Sequence, residues 1–257
     1  MDRSPTLERL PLACVARGVE AVFVFPLRER RHAAVDSVRG MTNASSPRLT
    51  GIDPASCLGA DDVVQADDPA VVALAHELRT NASSLEEFAE AAFVWVRDEV
   101  GHSFDVQDRR VTVTAADVLE QRVGLCYAKS HLLAALLRSR GVPTALCYQL
   151  LHDENNGGFV LHGLVAVHLR GAWHRQDPRG NKEGVDAQFS LAQERLAWAV
   201  DTTIGEQDGS TLHAAPARSV IEVLRGADNM LKLYESGLPT TLPEATDENG
   251  GSVSRSR

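Results

Sequence analysis

The sequence predicts an α+β fold, with helices gathered before residue 141 and an antiparallel run of strands from 144 to 177. Three observations lead there. Apolar residues recur at helical spacing between residues 69 and 138, strand-like apolar runs follow between 144 and 177, and turn-forming residues mark the joints between the two regimes.

Asp68 and Pro69 open the first helix, which carries Val71, Leu74, Ala75 and Leu78 on one face. Ser84 with Glu87 reads as a capping box before Phe88, Ala92 and Trp95, and Thr114 with Asp117 introduces a short helix that includes Leu119. Leu125, Ala128, Leu132, Leu133, Leu136 and Leu137 then mark a helix that Gly141 and Pro143 stop, with Cys126 on its first turn. Thr144–Leu151 and Leu161–Leu169 read as strands around the polar loop 152–158, and Arg170-Gly171 as a two-residue hairpin loop leading into Trp173–Asp177. Ser190 with Gln193 predicts a helix over Leu191–Val200, and a last helix begins near Arg218 and ends before Gly237 and Pro239.

The first turn of a helix offers unpaired N–H groups and the positive end of the macrodipole, which favour a thiolate over a thiol. Lys129, one turn on, reads as a further cation for Cys126. With the hairpin centred on Arg170-Gly171, Asp177 falls opposite Leu164, and His162 becomes its diagonal neighbour on the same face, about 7–8 Å away. A one-residue slip would break this pairing. Thiol, imidazole and carboxylate are the three groups that acyl transfer needs. The imidazole moves the proton, the carboxylate orients the imidazole, and the backbone N–H of Cys126 is a first oxyanion donor.

The pattern Gly124-Leu125-Cys126, the Leu-rich helix ending Leu-Leu-Arg-Ser-Arg-Gly-Val-Pro, Leu161-His162-Gly163, and the run Trp173 to Asn181 resemble bacterial transglutaminase-like proteins. The likeness spans roughly residues 60–225. It implies a papain-like transglutaminase core in which the cysteine-bearing helix packs on an antiparallel sheet, with Cys126 as nucleophile, His162 as base and Asp177 as orienter. Relatives of this kind include protein cross-linking enzymes, peptidases and amidases. The expected activity is therefore acyl transfer at an amide carbonyl through a thioester, with hydrolysis ahead of amine transfer. The substrate would be an amide-bearing peptide, protein or small molecule. No cofactor and no metal is needed. The additional β-domains and calcium loops of the animal cross-linking enzymes have no counterpart in the pattern, which weighs against cross-linking. The alternative from another class is a binding or scaffolding module whose triad is silent.

Other candidates carry weaker signals. His102 and Asp105 follow a helix and can enter a cleft, Gln149 and Trp173 flank the proposed site, and His131, His168 and His174 lack a recognised zinc spacing. Asp177-Pro178-Arg179-Gly180-Asn181 is otherwise a turn signal. Loops 101–113, 152–160 and 178–189 are where specificity is expected to be set.

The 257 residues, 44% of them hydrophobic, are enough for one catalytic domain, expected over 60–237. A formal charge of −9 speaks against nucleic acid or an anionic membrane as partner, and no phosphate-cradling glycine loop supports nucleotide chemistry. Four cysteines in a chain of this length make no disulfide framework; Cys147 reads as core, and Cys14 and Cys57 lie in segments of doubtful order. A cytoplasmic location follows as an expectation, since the apolar run 21–27 is too short to span a membrane. Residues 1–59 read as a poorly structured extension, with 1–40 lying upstream if translation starts at Met41, and 238–257 as a disordered tail. Oligomeric state leaves no trace in the pattern.

Overall fold

The structure is a computed structural model that describes residues 47, 49, 52–153 and 157–244. Its elements, in chain order, are α1 (Pro69–Thr80), α2 (Leu85–Glu99), β1 (Gly101–His102), α3 (Ala115–Gln121), β2 (Val123–Gly124), α4 (Cys126–Arg138), β3 (Thr144–His152), β4 (Phe159–Leu169), β5 (Ala172–Gln176), β6 (Gln207–Asp208), α5 (Arg218–Gly226) and α6 (Met230–Ser236). This is the α+β, papain-like arrangement the sequence predicts: helices on one side of an antiparallel sheet ordered β5-β4-β3-β6.

Local chemistry sets most helix starts. The Asp68 carboxylate accepts from the N–H groups of Ala70 and Val71, and Thr114 and Asp117 form a reciprocal capping box. At α2 the box is shifted: Ser84 caps Glu87 N–H, but Glu87 reaches back to Ser83. The β4–β5 hairpin closes with Leu169 opposite Ala172, and both loop residues, Arg170 and Gly171, have positive φ (53° and 74°). That is the primed turn whose twist matches the strands it joins.

Alternation along β4 sorts the sheet into two unlike faces. Val165 and Val167, with Leu146 of β3, meet α4 through Leu132, Leu133 and Leu136 in the principal apolar core. Leu164 and Ala166, with Ala145 and Cys147, face a coat of irregular chain that includes Cys57 and Leu212. On the coat side Arg175 is buried and paired with Glu194 (2.7 Å) and Asp208. Gly163 is where α4 comes closest to the sheet: a Cβ there would stand 2.6 Å from the Tyr127 ring and 3.3 Å from its Cα. Only glycine allows this approach.

Four expectations change. The helix expected over Leu191–Val200 does not form. The Ser190 hydroxyl does accept from the N–H groups of Ala192 and Gln193, but tertiary partners claim the backbone beyond them. Ala197 N–H donates to Asp177, and Arg195 carbonyl accepts from Gln188 N–H. The single closing helix is two, α5 and α6, with Asn229 capping the second. The packed body also begins before residue 60, because Pro54–Cys57 forms a 3-10 turn that buries Cys57. It continues past 238, where Leu238 and Leu242 pack against the α6 cluster and Leu161 N–H donates to the Pro239 carbonyl at 2.7 Å. The expected 1–40 extension, Cys14 and residues 245–257 of the expected tail lie outside the described residues. No described helix is long and apolar enough to cross a membrane.

Candidate active site

Cys126 is the first residue of α4, reached through β2, whose Val123 and Gly124 pair in parallel with Gly101 and His102. The residue is 8% exposed, and Leu125, Tyr127 and Leu161 pack around it. Its position follows from where β5 stops. The last β4–β5 pair is Val165 with Gln176, so two residues further along β4 the Gly163 N–H meets no strand. It donates to Cys126 Sγ at 3.5 Å instead. Leu161 N–H, two further on, is taken by Pro239.

His162 stands on the coat face between these two positions. Its Nε2 lies 2.8 Å from Asp177 Oδ2, and the imidazole stands close enough to Cys126 for the thiol to raise its proton affinity. Asp177 is fully buried, yet both its oxygens are satisfied: Oδ2 takes His162 and Ala197 N–H (3.1 Å), and Oδ1 takes Arg179 N–H (3.1 Å). Burial alone would raise its pKa, but the imidazole and these N–H donors hold it below the ordinary carboxylate value. Burial would likewise lower His162, but Asp177 and then Cys126 overcome it and raise the imidazole to about 10. Thus Cys126, His162 and Asp177, spread over 52 sequence positions, come together with the hairpin register the sequence predicts.

The remaining candidates separate. Lys129 does not serve Cys126; it is buried and its ammonium donates to the carbonyls of Arg97 (3.2 Å) and Val100, capping the end of α2. Burial, reinforced by Arg179, brings it down to about 7. His131 bonds the Val113 carbonyl, His168 packs edge-on against Trp173, and His174 bonds the Leu169 carbonyl, so these three have separate surroundings. Gln149 is the cross-strand partner of His162 and donates to Asp208 at 2.9 Å. Trp173 packs on the coat. His102 and Asp105 do lie beside the site: His102 is buried, with Nδ1 3.9 Å from Asp105. Desolvation, then Arg179, pushes its pKa well below the ordinary value.

Two aromatic neighbours escape the sequence pattern. Trp198 meets the His162 ring edge-on at 5.1 Å, and Tyr234 of α6 packs near Cys126, stacked on Phe104 at 4.1 Å. Trp198 sits in the stretch expected to be helical, and Tyr234 looks like an ordinary amphipathic-helix residue, so neither carries a local signal.

Residues 72–178 match the transglutaminase-like superfamily model, a span that includes Cys126, His162 and Asp177. The chain contains a transglutaminase-like core. Among solved structures, the chain is similar to a candidate cysteine protease from Cytophaga hutchinsonii, with a TM-score of 0.43 and 19% identity over 52% of this chain and 46% of that one. It is also similar to the periplasmic domain of TgpA from Pseudomonas aeruginosa, with a TM-score of 0.37 and 22% identity over 50% of this chain and 48% of that one. The likeness spans about half the length of each of those chains. No curated protein matches the sequence.

Proposed function

We propose that this transglutaminase-like core catalyses acyl transfer from an amide through Cys126, with water as the usual acceptor. The observation that carries the reading is the convergence of the Cys126 sulfur with an imidazole that Asp177 holds at 2.8 Å. With its pKa raised to about 10, His162 is an imidazolium at neutral pH, the cation against which a sulfur anion forms. That sulfur attacks the amide carbonyl, and the charge on the oxygen meets the N–H groups at the start of α4, the Cys126 N–H first among them. As the C–N bond breaks, His162 delivers its proton to the leaving amine and a thioester remains. Water then adds as His162 takes its proton, the C–S bond breaks, and a carboxylic acid leaves with the thiolate–imidazolium pair restored. An amine in place of water gives the transglutaminase outcome. Peptides, proteins and smaller amides are the substrate classes, and a reducing compartment such as the cytoplasm suits the free thiol.

The test compares wild type and Cys126→Ala with an alkyne-tagged thiol-reactive probe, reading the labelled residue by mass spectrometry from about pH 5 to about pH 9. Labelling confined to Cys126, fast at acidic pH and lost with His162→Ala, is expected. Labelling of Cys126 no faster than of Cys57 would sink the reading and favour a silent binding module.

A further inference from the structure

We propose that Arg179, together with Asp105, is a positioning pair for the Cys126 site, fixing both the carboxylate and the aromatic wall that orient His162. The proposal rests on the reading of Cys126 and His162 as the reacting pair. Arg179 lies one residue beyond the span matched by the family model, inside what the sequence presents as a turn. The structure buries it instead, leaving the residue 1% exposed. A guanidinium is costly to bury and is retained where its geometry is used.

Arg179 touches the site in two directions. Its backbone N–H donates to Asp177 Oδ1 at 3.1 Å, on the carboxylate that holds His162. Its guanidinium forks onto Asp105, Nη1 to Oδ2 at 2.6 Å and Nη2 to Oδ1 at 2.9 Å, and its Cζ stands 5.0 Å from the Trp198 ring centroid. Trp198 in turn meets His162 edge-on. Asp105 belongs to the segment after β1, which is paired to the two residues that lead into Leu125 and Cys126. The fork therefore ties the loop carrying Asp177 to the strand pair that carries the cysteine. The Arg179–Asp105 pair is bidentate, so it fixes orientation as well as distance. A lysine would keep the charge and lose the fork.

His162 supplies the readout. The titratable groups facing it are Asp177 after β5, Cys126 on α4 and His102 on β1, and the largest upward influence on its proton affinity comes from Asp177. A merely structural role for Arg179 would lower the unfolding temperature and leave the His162 titration where it is.

The experiment follows His162 by imidazole NMR, and Cys126 by iodoacetamide alkylation, in the full chain. The variants are Arg179→Lys, Asp105→Asn, Lys182→Ala and His162→Ala. Lys182 is the half-exposed second partner of Asp105, at 3.2 Å, and serves as control. Arg179→Lys and Asp105→Asn are each expected to slow alkylation about 10- to 100-fold, the usual cost of removing a supporting partner. Both should also lower the proton affinity of His162 about tenfold, one pKa unit, while Lys182→Ala behaves as wild type. If Arg179→Lys and Asp105→Asn alkylate at the wild-type rate with an unmoved His162 titration, the positioning role is overturned. Should Arg179→Lys not fold, Asp105→Asn decides alone, because it leaves the guanidinium in place. If His162→Ala alkylates as fast as wild type, the functional reading itself fails, a result separate from either outcome at Arg179.

Discussion

The two faces of the sheet are built on different physics, and the candidate site lies where they meet. The face covered by α4 is a dry core, with Leu132, Leu133, Leu136 and Leu137 fully buried against Leu146, Val165 and Val167. The other face carries a smaller apolar cluster and more polar fastening: Arg175 on Glu194 and Asp208, and Asp177 gathering N–H groups from Arg179 and Ala197. Cys126 comes from the first face and the His162–Asp177 pair from the second. The thiol sits on packing that tolerates little change, whereas its partners sit on a coat held largely by directional hydrogen bonds and ion pairs.

The largest effect should come from cutting the coat's hold on the imidazole. Asp177→Asn keeps the shape and removes the charge, and is expected to lower turnover of any amide substrate by about a thousandfold or more, as loss of the orienting carboxylate does in such triads. A modest loss, measured by initial rates, would mean the coat matters less than its geometry implies.

Stability should divide the other way. Leu133→Ala, at a site with no exposure, is expected to cost about 2–5 kcal/mol in urea unfolding. Arg175→Met breaks the coat's ion pairs but leaves Glu194 and Asp208 carboxylates that are already 25% exposed, so about 1–2 kcal/mol is expected. Equal costs would erase the distinction between the faces.

The same pair sets a pH signature. His162 is raised to about 10 from an unfolded value of 6.5, so its contribution to stability is complete below 6.5 and lost as pH rises through about 10. Asp177 is lowered, so its share is present above the ordinary carboxylate value and lost as pH falls through the folded one. The stability difference between wild type and His162→Ala should therefore be largest below about pH 6.5 and shrink steadily as pH rises from there through about 10, as denaturant titrations at each pH will read. A difference that stays flat through that range breaks the ion-pair account.

The smallest effect tests the hairpin that both faces share. Arg170 occupies the left-handed region at φ 53°, where asparagine is better tolerated, although it gives up a surface pair with Glu86. Arg170→Asn is expected to raise the thermal midpoint slightly. A fall would show that the surface pair outweighs the turn.

How far the molecule was legible tracks the same division. The starts of α1, α2 and α3, the whole of α4 and the β4–β5 register were readable because each rests on neighbours in sequence: a capping carboxylate, a 3.6-residue period, a two-residue loop. That register places His162 beside Asp177 before any fold is known. The stretch 190–200 carries the same kind of signal, and its serine does cap, yet no helix forms because Asp177 and Gln188 claim its backbone. Lys129 shows the same limit, pointing to the end of α2 rather than to the thiol one turn away.

The sequence by itself determined the class of fold, the helix that presents Cys126 and the strand order that brings an imidazole to a carboxylate, since periodicity and turn geometry act over a few residues. Only the tertiary structure decided that β5 ends early enough for Gly163 to offer its N–H to the sulfur, that Trp198 and Tyr234 wall the site, and that Arg179 is buried on Asp105. Those contacts join positions up to 130 residues apart, from Phe104 to Tyr234. No local pattern encodes them, because a buried polar group finds its partner through space.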